Sequence, residues 1–109
     1  MSDLSLEAAL ATRLDPQIMA FEENAHLWRL EVDRLVTKLR ESQAFGETDD
    51  SVLAKSRTTI EGIQLEIQRF QRFTSENSQP GLDLLVRLAE VAVALQTALR
   101  RLQGVLSSQ

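Results

Sequence analysis

The chain has 109 residues, 43% of them hydrophobic and 26% charged, a balance near that of folded globular proteins, so one domain spanning 1–109 is expected rather than a disordered chain. It has no cysteine, which excludes disulfide scaffolds, thiolate metal sites and thiol nucleophiles. A net charge of −4 repels nucleic-acid phosphates and anionic lipid on average.

The first segment, 4–14, is rich in Ala, Leu and Glu and reads as a short helix capped by Ser2 or Asp3. With acidic Asp3 and Glu7 and Arg13 as its sole base, it lacks the basic start of a signal peptide, and secretion by that route is not expected. Asp15-Pro16 then marks the start of a long helix over about 16–45, with Asp as N-cap and Pro at the first helical position. Within it Ile18, Phe21, Ala25, Trp28, Val32, Leu35 and Leu39 recur at alternating steps of three and four, the pattern of a helix that keeps one narrow seam toward partner helices. Gly46 is placed to close this helix in the left-handed conformation.

A second helix is expected over about 50–75, with Thr48 or Asp50 as N-cap and the seam Leu53, Ser56, Ile60, Ile63, Ile67, Phe70. Thr58, Thr59 and Gly62 make it intrinsically the weakest, so packing must hold it. A polar turn around Ser78-Gln79-Pro80-Gly81 leads to a third helix over about 80–106, with the seam Leu85, Leu88, Ala92, Leu95, Leu99, Leu102, Leu106. Short turns favour antiparallel neighbours, and the expected fold class is all-α: an elongated antiparallel three-helix bundle with coiled-coil-like heptad packing and a short N-terminal helix. The alternative opens the same helices into a hairpin completed by a second chain.

The third helix has more apolar surface than one seam requires. A flanking row, Leu84, Val91, Ala98 and Val105, accompanies the stripe, Val86, Ala89 and Val93 lie on its far side, and no charge occurs between Glu90 and Arg100. So wide an apolar arc is either central in its own bundle or completed by another molecule. These seven residues form the candidate interface, with Trp28 as an additional candidate hot spot, since tryptophan is enriched at such points. The competing explanation folds Leu4, Leu6, Leu10 and Leu14 over the flank within one molecule.

Few residues offer chemistry. His26 follows Glu22 and Glu23 at helical contact distance, but one Glu-x-x-His pair falls short of the two that a di-metal bundle uses. Arg69-Phe70-Gln71-Arg72-Phe73 resembles a nucleic-acid stacking surface only loosely, and core phenylalanine beside solvated arginine is the simpler reading. Neither glycine-rich phosphate loops nor nucleophile elbows occur. The expectation is a non-enzymatic protein–protein interaction or assembly module, a small helical subunit or adaptor that self-associates as a homodimer or joins a hetero-oligomer. The alternative is a small acidic chaperone or secretion partner shielding an apolar segment of a client. No catalytic residue, metal, cofactor, small-molecule substrate, nucleic acid or membrane insertion is expected, and the expected location is cytoplasmic.

Overall fold

A computed structural model describes the backbone of residues 3–46, 49–77 and 81–108, and the side chains of 13–46, 49–77 and 81–108. It contains three helices, α1 (Asp3–Ala44), α2 (Asp50–Glu76) and α3 (Leu82–Ser107), with no strand among the described residues. They form an elongated bundle of 67 × 18 × 18 Å. A 42-residue α1 is about 63 Å long at 1.5 Å per residue, so this one helix accounts for nearly the whole length. The up-down-up order is visible in the pairs that cross the bundle: Phe21 meets Phe70 and Phe73, Arg87 meets Asp15 and Glu22, and Arg101 meets Asp33.

The helix ends follow local chemistry. Gly46 adopts φ 68°, and its N–H donates to the Gln43 carbonyl, which closes α1 in the way the left-handed residue allows. Asp49, rather than Thr48 or Asp50, is the N-cap of α2, its carboxylate accepting from the N–H groups of Ser51 and Val52. Gly81 precedes α3 without any side-chain cap, and the turn residues Ser78, Gln79 and Pro80 lie outside the described residues.

The expected boundary at Asp15-Pro16 is absent. α1 runs through Pro16, and residues 4–14 continue along its axis instead of forming a separate short helix folded back on α3. An interior proline costs about 3 kcal/mol through a lost hydrogen bond and a crowded carbonyl. Here Leu14 and Ile18, on either side of exposed Pro16, are both buried against Phe70, Phe73, Leu84 and Leu88. Burying two such side chains contributes about 1.5–3 kcal/mol each, enough to offset the proline. Asp15 is drawn away from capping by Arg87, to which its carboxylate is hydrogen-bonded.

The seam of α1 matches its sequence, but those of α2 and α3 are turned by one column. In α2, Ser56, Ile63 and Phe70 face the core as expected, and the accompanying column is Val52, Thr59, Glu66 and Phe73 instead of Leu53, Ile60 and Ile67. In α3, Leu88, Leu95 and Leu102 face inward together with Leu84, Val91 and Ala98 instead of Leu85, Ala92, Leu99 and Leu106. Leu84, Val91 and Ala98 are therefore core residues of the single chain, not a free flank, and Val105 beside them is half-buried. Adjacent positions lie about 100° apart around a helix, so the change redirects a whole column. With this face inward, Arg87 and Arg101 share one edge of α3 and pair with Asp15, Glu22 and Asp33 of α1.

The interior divides into two clusters. One is aromatic, with Phe21 edge-on to Phe70 at 5.1 Å between ring centroids and 5.4 Å from Phe73. The other is aliphatic, built on Val32, Leu35, Leu39, Ile63, Ala98 and Leu102. Half-buried Trp28 and Ile67 touch both and join them into one continuous core.

Candidate functional site

Three grooves run along the bundle, and their chemistry differs sharply. The α1/α3 groove is closed by charge. Arg87 donates to both oxygens of Glu22, from Nη2 at 2.6 Å and Nε at 3.2 Å, and also to Asp15. These hydrogen bonds hold the Glu22 carboxyl below its ordinary range against the opposing effect of partial burial, and they raise the Arg87 guanidinium further. Arg101 pairs with Asp33 further along, and Gln43 donates to the Ser108 carbonyl at 3.4 Å near the end. His26 lies exposed beside this groove near Glu22, Arg29 and Glu90. Glu22 is already engaged by Arg87, and among the described residues no three His, Cys, Asp or Glu side chains are grouped to hold a metal.

The α1/α2 groove is formed around one close approach. Trp28 lies directly over Gly62, so close that a Cβ there would fall 2.5 Å from the indole Cη2. Asn24, Leu27, Glu31, Glu66 and Arg69 complete the groove. Arg34 donates to Glu31 from Nη2 at 2.6 Å and Nε at 3.1 Å, and this lowers the Glu31 carboxyl. Glu66 is only 5% exposed, and its Oε2 has no hydrogen-bond partner.

The α2/α3 groove is apolar and open, about 370 Å³, with Ile67, Phe70, Leu85, Leu88, Ala92 and Leu95 as its floor and walls. Gln71, Thr74, Asn77, Ala89 and Gln96 form the rest of its lining, so no charged side chain lines it. Three residues of the columns displaced from the core, Ile67, Leu85 and Ala92, line this groove. Ile60, Ile67, Ala92 and Leu99 are half-buried, and Leu85 is exposed. Beside them, Leu82 is 76% and Val93 64% exposed, with Val86 and Ala89 also on the surface.

The candidate interface of the sequence thus separates into two sets. Val86, Ala89 and Val93 lie together on the outer surface of α3, Leu84, Val91 and Ala98 lie in the core, and Val105 and Trp28 are half-buried, Trp28 in a different groove. Phe70 and Phe73 are buried against Phe21 and present no stacking surface. Sequence reasoning missed the Arg87 clamp, although Asp15 and Glu22 are one heptad apart and therefore share a column on α1. It also missed the burial of Glu66, which carries no signal in the sequence because the apolar period of α2 points to the neighbouring column.

No helix among the described residues is long and apolar enough to cross a membrane. Comparison with protein-family models, curated proteins and solved structures finds no match to this chain.

Proposed function

We propose that the protein is a non-enzymatic assembly module that self-associates through the α2/α3 groove. The observation that supports this is the fate of the two displaced columns. α2 buries Thr59 and Glu66 while leaving Ile60 and Ile67 half-exposed, and α3 buries Ala98 while leaving Leu85 exposed and Leu99 half-exposed. Ile67 from α2 and Leu85 and Ala92 from α3 line one groove, which is the geometry of a bundle lacking a fourth helix.

The uncharged lining favours a second copy as the occupant. An interface around a two-fold axis sets one patch against itself, so a charge close to the axis meets its own copy. Gln71 and Gln96 avoid that opposition, since an amide both donates and accepts. α3 of each copy, presenting Leu82, Leu85, Val86, Ala89 and Val93, seats against the groove of the other and gives a six-helix dimer.

Light scattering on wild type and an Ala89→Glu/Val93→Glu double variant tests the proposal. Both positions are exposed in the single chain, so the helical circular dichroism should persist while the dimer is lost. A wild-type monomer at high micromolar concentration, or a dimer unaffected by the two glutamates, refutes self-association through this face. A wild-type monomer whose groove is protected by a co-purifying foreign helix supports client shielding instead.

A further inference from the structure

The α1/α2 groove contains a carboxylate that the fold does not use. Glu66 occupies the same inward column as Val52 and Phe73, where any apolar side chain of similar size completes the core, and its Oε2 is buried without a hydrogen-bond partner. The nearest cation, Arg69 Nη2, stands 3.5 Å away on a side chain that is 68% exposed. That is contact between charges without a hydrogen bond. Leaving a buried carboxylate oxygen without a hydrogen bond is costly. Above it, Trp28 is held over the bare backbone of Gly62.

We infer that this groove is a binding site for an alkylguanidinium group, which pairs with Glu66 and lies against the indole of Trp28. The chemistry follows from the lining. A hard metal ion needs several oxygen ligands, and Glu31 is taken up by Arg34. A guanidinium needs one carboxylate and one aromatic face, since its planar fork donates two parallel hydrogen bonds while its π-surface stacks on indole. Leu27 offers apolar surface to the attached alkyl stem. Arg69 is the resident competitor, close enough to screen the carboxylate and exposed enough to swing away. The site lies in a different groove from the proposed dimer face, so neither depends on the other.

Trp28 is the only tryptophan and the chain has no tyrosine, so intrinsic fluorescence reports on this groove alone. Titration of the intact protein with n-butylguanidinium chloride, against sodium chloride of equal ionic strength, should give a saturable emission change with a dissociation constant on the order of 1 mM, the affinity of a ligand of this size. Glu66→Gln should weaken binding by about tenfold or more, the loss of one charge-assisted pair. Arg69→Ala should tighten it several-fold by removing the competitor. Circular dichroism confirms folding, and Glu66→Met serves as a second charge-removing variant should the glutamine form be unstable. A blocked Gly-Arg-Gly peptide distinguishes the source of the group: binding equal to n-butylguanidinium assigns the site to an arginine side chain of another chain, and failure of the peptide alone assigns it to a free alkylguanidine. No saturable change below about 10 mM, roughly tenfold above the expected constant, overturns the inference. So does wild-type affinity after removal of the Glu66 charge, or unchanged affinity after removal of Arg69.

Discussion

Replacing Gly62 with alanine sets two opposing effects against each other at a single methyl group. In an ordinary helix interior the change stabilises by about 0.5–1 kcal/mol, because glycine loses more conformational freedom on folding. At this position the added Cβ would sit 2.5 Å from Trp28 Cη2 and 3.0 Å from Cζ2, well inside van der Waals contact. The obstacle is the edge of a rigid ring that links both core clusters, so the indole must tilt away and lose packing. Overpacking of this kind costs about 1–3 kcal/mol. The net expectation is destabilisation by about 1 kcal/mol, roughly 4 °C in melting midpoint for a domain of this size. Urea unfolding followed by circular dichroism at fixed protein concentration measures it, and the Trp28→Leu background isolates the cause. There Gly62→Ala should become stabilising, with a coupling of about 1.5–3 kcal/mol across the double-mutant cycle. A higher midpoint for Gly62→Ala in the wild-type background, or additivity in the cycle, would refute the reasoning.

Two further substitutions address the polar groups that the fold sequesters. Glu66→Met should raise stability by about 1–3 kcal/mol in the same urea assay, since an apolar side chain of similar length replaces a buried carboxylate with an oxygen that lacks a hydrogen bond; a lower midpoint would show that the charge is satisfied. Arg87→Met should cost only about 1 kcal/mol near neutral pH, because Arg87 and its partners are all partly exposed. Glu22 has a carboxyl lowered by Arg87, so its contribution is complete above its unfolded value near 4.5 and is lost as pH falls through the lower folded value. The gap between wild type and Arg87→Met should therefore narrow below about pH 4.5, and a gap constant down to acid unfolding contradicts this role for the clamp.

Much of the architecture is legible in local patterns. A three-and-four alternation along α1 names its buried face from Ile18 to Leu39, and Gly46 ends that helix because a left-handed residue is required there. Local rules fail where distant residues intervene. Asp15-Pro16 has the chemistry of a helix start, yet Leu14 and Ile18 are both buried across it and Arg87 takes the capping carboxylate.

Sequence alone determined that there are three long helices, where the turns fall, and which residues of α1 meet the others, because those features depend on backbone propensity and on the period of one clear apolar stripe. Only the tertiary structure decided which of two adjacent apolar columns on α2 and α3 turns inward. Hydrophobicity is non-directional and cannot rank Leu84, Val91 and Ala98 against Leu85, Ala92 and Leu99. The face that is buried is the one that lets Arg87 and Arg101 meet acidic partners on a helix about seventy residues away in the chain, contacts that no local period contains. The column that α2 turns inward buries Glu66, and the groove between α2 and α3 stays open.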